Sequence, residues 1–169
     1  MRSLEISARV AGLSAGEAYS ILCDFERYPE YSDAVRSVKI QTFPDGAMMS
    51  SWETNFRNGI LRWSEIDVLD PATLTIAFEQ TEGDIDLFLG HWKVKAAGNG
   101  AVIDFFAQFD MGMPSLSHIL DPIAEQALRE NIIAILQGLF GMQIEILDRP
   151  VSLSEQDQRP ADAPNQLEA

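Results

Sequence analysis

The sequence predicts an α+β domain in which a curved, seven-stranded antiparallel sheet wraps one long C-terminal helix, with two short helices beside it. Three observations lead there. Between Val35 and Met111 apolar and polar residues alternate with period two, and turn residues break the alternation at short intervals, the pattern of an antiparallel meander. After Asp121-Pro122 the apolar spacing becomes helical and stays so to the end of the hydrophobic sequence. Ahead of the meander there is room for only one strand and two short helices.

Taken in order, Leu4, Ile6, Ala8 and Val10 alternate with polar partners and form an opening strand that Gly12-Leu13-Ser14 ends. Ser14 with Glu17 three residues later is a capping-box pair, which predicts a helix from Ala15 to about Cys23. Asp24–Tyr31 follows as a short helical turn interrupted by Pro29. The strands Val35–Phe43, Ala47–Phe56, Ile60–Leu69, Leu74–Gln80, Ile85–Ala96 and Ala101–Met111 come next. Pro44-Asp45-Gly46, Asn58-Gly59, Asp70-Pro71, Gly83-Asp84 and Gly98-Asn99-Gly100 turn the chain between them. Asp121 then offers an N-cap and Pro122 the first helical position. Ile123, Ala127, Leu128, Ile132, Ile135, Leu136, Leu139 and Phe140 form a broad apolar stripe. A helix carried on to Leu147 would be about 39 Å long, enough to cross the sheet. From Asp148 onward Pro150, Pro160 and Pro164 lie among Ser, Gln and Asp with no period. Residues 148–169 are therefore expected to be a flexible tail outside a domain of residues 1–147.

A chain of 169 residues supports one good core. Its 46% hydrophobic and 22% charged residues are globular proportions. The longest nearly apolar run, Ile132–Phe140, is broken by Gln137 and Gly138 and is too short to cross a bilayer. The first residues, Met1–Glu5, lack the apolar core of a secretory leader. Cys23 is the single cysteine, so no internal disulfide forms, and a cytoplasmic setting is expected. A net charge of −14 repels phosphate backbones and anionic lipid heads, which disfavours nucleic-acid partners and membrane insertion. Cys23, His91 and His118 have no metal-ligand spacing, and no glycine-rich loop joins a strand to a helix. No metal and no cofactor are expected, and a monomer or a homodimer fits equally well.

The strand faces assigned to the core are heavy with large residues. Met48, Trp52 and Phe56 share one face, as do Leu74, Ile76 and Phe78, then Phe88, Trp92 and Val94, then Ile103, Phe105, Phe109 and Met111. One helix, about 10–12 Å wide, cannot cover the concave side of a seven-stranded sheet. The remaining space holds either the aromatic side chains themselves or a hydrophobic small molecule.

With the elements in this order, the sequence resembles the START/birch-pollen-allergen (SRPBCC) superfamily, whose architecture is the helix-grip fold. Within it the chain is most similar to bacterial polyketide cyclase/dehydrase and aromatase/cyclase proteins. The residues that carry the resemblance are Phe25-Glu26-Arg27-Tyr28-Pro29-Glu30-Tyr31, Asn58-Gly59 before a strand containing Trp63, Gly83-Asp84 ahead of Gly90-His91-Trp92, and Phe109-Asp110-Met111. Asp121-Pro122 and Ala127-Leu128-Arg129-Glu130-Asn131 complete it, over roughly residues 4–146. The resemblance implies a cavity for a hydrophobic polycarbonyl or aromatic molecule and, in the cyclases, aldol cyclisation and dehydration. It also serves quinone- and lipid-carrying proteins, so a non-catalytic carrier is the second expectation. An arginine of the aromatase/cyclases falls on Asp67, an intervening serine falls on Glu65, and a tyrosine falls near Val35, with Tyr31 as its nearest substitute.

Trp63, Glu65 and Asp67 sit at i, i+2 and i+4, so they share one face of a strand. The resemblance turns that face inward and makes Glu65 and Asp67 the candidate catalytic pair. Two carboxylates about 7 Å apart in an apolar cavity would divide into a neutral acid and a charged base. The opposite register, with Ile60, Ile66 and Val68 inward and both carboxylates in water, satisfies the same periodicity. Tyr31, Trp52, Phe56, Trp63, Phe78 and Phe88 are the first candidate ligand contacts. Trp92, Phe105, Phe109 and Met111 continue the wall, Gln80 offers a hydrogen bond to a ligand carbonyl, and His118 marks the expected mouth. Asn131 is a further polar candidate from the helix.

Overall fold

The computed structural model describes residues 1–147. Strand β1 (Arg2–Ala11) leads through Ser14 into helix α1 (Ala15–Cys23), a 3-10 turn (Phe25–Arg27) and the one-turn helix α2 (Tyr28–Tyr31). Strands β2 (Val35–Thr42), β3 (Met48–Phe56), β4 (Gly59–Asp70), β5 (Thr75–Gly83), β6 (Leu87–Ala97) and β7 (Gly100–Asp110) form the meander. Helix α3 (Ser117–Phe140) and strand β8 (Ile144–Leu147) close the described chain. The capping box at α1 is present in both directions, with Glu17 N–H donating to Ser14 Oγ at 3.1 Å and Ser14 N–H donating to Glu17 Oε1 at 3.1 Å.

Among the described residues the sheet has eight strands in the order β2-β3-β4-β5-β6-β7-β1-β8, antiparallel throughout, rather than the seven expected. The extra strand comes from residues that the helical stripe had claimed. Gly141 adopts φ 61°, the left-handed region that ends a helix. Beyond it Ile144 and Ile146 alternate with exposed Glu145, and this short segment pairs with the outer edge of β1, Val10 opposite Ile144 and Ser7 opposite Leu147. Covering that edge removes an open row of backbone donors and acceptors.

The start of α3 also differs. Asp121 is no N-cap: the helix begins at Ser117, Pro122 lies inside it, and Asp121 is buried. At 24 residues α3 spans about 36 Å, still enough to cross the sheet. The β3–β4 loop is Arg57-Asn58, one residue earlier than the Asn-Gly signal suggested, with Arg57 at φ 54° and Gly59 already paired to Phe56. Residues 148–169, expected to be a flexible tail, lie outside the described residues.

The helix packs over the core face of the sheet. Ala124, Ala127, Leu128, Ile135, Leu136 and Phe140 are its buried apolar residues. Asn131 Nδ2 donates to the Asn55 carbonyl at 2.6 Å, and Arg129 donates to the Glu5 carbonyl at 3.3 Å. Gly138, which interrupts the apolar run, lets α3 touch the backbone of α2: a Cβ there would lie 2.1 Å from the Tyr31 carbonyl oxygen.

Candidate functional site

Trp52 and Trp63 face each other across the β3–β4 ladder, their rings stacked at 5.8 Å and nearly coplanar in orientation, 2° apart. Phe25 and Tyr28 from the short helices pack on Trp52 at 5.4 and 5.5 Å. Phe88 meets Trp63 edge-on at 5.6 Å, and Phe78, Phe105 and Trp92 continue the aromatic chain along β5, β7 and β6. With Ile76 from the sheet and Leu128, Ile132 and Ile135 from α3, these rings wall a cavity. Its polar members are Thr54, Glu65, Asp67 and Asn131, together with the phenol of Tyr28.

The void is small, about 60 Å³. That is well under the roughly 300 Å³ of an ordinary ligand pocket, and about four waters would fill it. The aromatic side chains therefore occupy most of the concave face in this state, which was one of the two alternatives open from the sequence.

Glu65 and Asp67 are buried on the inward face, 5% and 4% exposed. Period two puts them there: β4 buries Leu61, Glu65 and Asp67, and it leaves Arg62 and Val68 exposed. Ser50, opposite Glu65 in the ladder, is completely buried between the carboxylates. Its hydroxyl donates to Asp67 Oδ2 and lies 3.4 Å from Glu65 Oε1. Trp52 Nε1 donates to Ser50 Oγ at 2.8 Å, and Trp63 Nε1 donates to Glu65 Oε2 at 2.8 Å. Asp67 Oδ1 and Thr54 Oγ1 are buried with no partner.

The electrostatics follow from this geometry. Burial, and then the neighbouring Asp67 charge, pushes the Glu65 carboxyl well above the usual carboxylate range. Burial also raises Asp67, while hydrogen bonds from Glu65 and Ser50 hold it back. Both carboxyls are thus held above the ordinary carboxylate range, and the pair keeps a shared proton to higher pH than an exposed carboxylate would. The buried Tyr28 phenol is pushed well above its ordinary value, chiefly by desolvation, and it donates to the Leu22 carbonyl.

Of the expected ligand contacts, Trp52, Trp63, Phe78, Phe88, Trp92 and Phe105 line the cavity. Tyr31, Phe56, Gln80, Phe109, Met111 and His118 do not. Tyr31 is 45% exposed and holds the Arg27 guanidinium over its ring at 5.2 Å, because the one-turn α2 ends there and Tyr28 takes the inward place. His118 is exposed, since α3 begins before it and carries it on the solvent side. Gln80 donates to the Ile85 carbonyl at 2.5 Å, within the β5–β6 connection rather than toward a ligand. Phe109 is fully buried in the core, Phe56 and Met111 pack at its margin.

Ser50, Thr54, Phe25 and Tyr28 were missed as site residues. Ser50 and Thr54 stand two residues either side of Trp52, so the period-two face already contained them. Large apolar neighbours drew the assignment, although a small hydroxyl can sit between two buried carboxylates where a larger group cannot.

Comparison with known proteins agrees with this architecture. Residues 12–136 match the family described as polyketide cyclase/dehydrase and lipid transport. The chain belongs to that family. No curated protein matches the chain. Among solved structures, this polyketide cyclase/dehydrase family member is similar to a protein from Thermus thermophilus, with 22% identity and a TM-score of 0.74, over 82% of this chain and 94% of that one. It is also similar to the Zhui aromatase/cyclase from Streptomyces, at 18% identity and a TM-score of 0.70, covering 83% and 92% of the two chains. A START superfamily protein from Mycobacterium smegmatis matches at 17% identity and a TM-score of 0.66, over 82% and 95%. These likenesses establish the helix-grip fold. Among the described residues no helix is long and apolar enough to cross a membrane, and no group of three or more His, Cys, Asp or Glu is placed to hold a metal ion.

Proposed function

We propose that this family member binds a hydrophobic polycarbonyl or aromatic small molecule between the sheet and α3, and that Glu65 and Asp67 promote aldol cyclisation and dehydration of it. The observation that carries this reading is a pair of carboxylates buried together, bridged by Ser50 and open to an aromatic-walled void. In this reading Asp67 acts as the carboxylate and removes a proton from a carbon flanked by carbonyls. Glu65 acts as the carboxylic acid and gives its proton to the carbonyl oxygen that the new carbon–carbon bond turns into a hydroxyl. In the dehydration a carboxylate takes the adjacent C–H proton, while a carboxylic acid protonates the departing hydroxyl, which leaves as water. Thr54 Oγ1, buried without a partner, is a free hydroxyl for the ligand oxygen.

A void of about 60 Å³ does not admit such a substrate unaltered. The sheet wall is held by its ladders, whereas α3 contributes Leu128, Ile132 and Ile135 through side-chain packing. Outward movement of those helical side chains is the proposed route to a larger pocket. The proposed setting is the cytoplasm, with Cys23 reduced.

A non-catalytic carrier of a quinone, lipid or aromatic metabolite is the second reading. It is favoured by the lack, among the described residues, of any Lys, Arg or His in the cavity wall to stabilise an enolate. One experiment separates the two: incubate the full chain and its Glu65→Gln variant with a reactive linear polycarbonyl compound and follow cyclised product. Turnover that falls about 100-fold or more in the variant supports the cyclase. Saturable quenching of tryptophan emission with no turnover in either protein supports the carrier.

A further inference from the structure

The polar groups of the cavity wall lie at separate levels of the sheet. Glu65 and Asp67 stand together on β4, opposite Ser50 and Met48 in the ladder. Thr54 is on the same inward face of β3 but opposite Leu61, beyond the stacked Trp52–Trp63 row. Four residues of strand separate Thr54 from Ser50, about 13 Å at the usual rise. Thr54 is 3% exposed, and among the described residues its Oγ1 has no hydrogen-bond partner. Asn131 comes to the same level from α3, with Nδ2 donating to the carbonyl of Asn55, the next residue along β3. A carbonyl only accepts, so this bond fixes the orientation of the amide. It leaves Asn131 Oδ1 as an acceptor with no protein donor among the described residues.

We propose that Thr54 and Asn131 form a second polar subsite that recognises a hydroxyl group on the ligand and positions the molecule, away from the carboxyl pair. The inference rests on reading the cavity as a ligand site, and it names a functional group that the ligand carries. A phenol or alcohol uses both residues at once: its O–H donates to Asn131 Oδ1, and its oxygen accepts from the Thr54 hydroxyl. An ether or ketone can take only the bond from Thr54. A bare ring takes neither and leaves a buried hydroxyl unpaired, which is costly. Leu128 and Ile135 stand three residues before Asn131 and four after it, on its face of the helix, and both line the cavity. The side chains proposed to move outward therefore flank the helical half of the subsite, while the β2 and β4 ladders hold Thr54 in place. A ligand anchored by its hydroxyl at Thr54 lays its body along the tryptophan row, and its far end points toward Glu65.

The test compares 2-naphthol, its methyl ether and naphthalene, which share one ring system and differ in what they can donate and accept. Each is measured by equilibrium dialysis against the full chain at neutral pH. The naphthol is expected to bind at least about tenfold more tightly than either of the others. In Thr54→Val that advantage should shrink to about twofold or less while the affinity for naphthalene holds. The melting temperature of Thr54→Val should stay level or rise, because valine keeps the shape and removes an unpaired buried hydroxyl. A lower melting temperature with the naphthol preference intact would make the Thr54 hydroxyl structural and overturn the subsite. If naphthalene or the ether binds the parent protein as tightly as the naphthol, the hydroxyl subsite is overturned and the ligand cavity stands. If none of the three binds saturably, both the subsite and the cavity reading fall. The three-ligand comparison needs no variant, so a folding failure of Thr54→Val leaves the test decisive.

Discussion

The two faces of the β3–β4 hairpin are built from similar residues and behave in opposite ways. On the outer face Ser51 Oγ and Ser64 Oγ are 2.8 Å apart, and Glu53 pairs with Arg62 at 3.4 Å with both side chains roughly half exposed. On the inner face Ser50 lies between Glu65 and Asp67 beneath the stacked Trp52 and Trp63. Each face has serine and carboxylate. The outer carboxylate has a cation and water; the inner two have each other, one serine hydroxyl and one indole N–H. Outside, ionisation is cheap and screened, and the pair is worth little. Inside, a second negative charge is disfavoured, so a proton is retained to higher pH than on an exposed carboxylate, and the pair can offer both an acid and a base.

The largest effect that could break this contrast is on turnover. Glu65→Gln should lower cyclisation by about 100-fold or more, while Glu53→Gln should leave it within about twofold, because only the inner carboxylate reaches the cavity. An equal loss in both would show that the faces are not functionally distinct. Next comes stability. Ser50→Ala strands Trp52 Nε1 and removes the donor to Asp67, so urea unfolding should show a loss of about 1–3 kcal/mol. Ser51→Ala, on the wet face, should stay within about 0.5 kcal/mol.

The pH dependence sharpens the comparison further. Folding raises the Glu65 and Asp67 pKa values above their unfolded ones, so the native state binds more protons between the two sets of values. Their contribution to stability is complete below the ordinary carboxylate range, near pH 4, and is lost as pH rises through the elevated native values. Glu65→Gln should flatten that decline when melting temperature is followed from pH 4 upward; an unchanged slope would place the retained proton elsewhere. The smallest effect is expected at the chain's end. Truncation after Asp148 should shift the unfolding free energy by no more than about 0.5 kcal/mol, and a larger loss would mean that residues 149–169 pack on the domain.

Much of the fold was legible because local rules act where their residues stand. Ser14 and Glu17 cap α1 through contacts three residues apart, and alternation within β4 put Trp63, Glu65 and Asp67 on one face of that strand without reference to anything distant. The pair at Glu65 and Asp67 had two registers open, and burial by α3 and the short helices selected one. The eighth strand was not legible, because Ile144 and Ile146 satisfy a helical stripe as well as a strand. The vacant edge of β1, more than 130 residues earlier, made the choice. Likewise nothing near Asp121 in the sequence announces that the helix starts before Pro122.

By itself, then, the sequence determined the element types, their order, and the set of side chains that share each strand face, since these depend on neighbours within a few positions. Tertiary structure decided how much space those faces leave. Phe25 and Tyr28 fold over Trp52 and, with the helical side chains of α3, reduce the void to about 60 Å³. It also decided that Ser50, unremarkable in a strand, is the hydroxyl between two carboxylates. Volume and desolvation belong to surfaces brought together from distant parts of the chain, and no local pattern contains them.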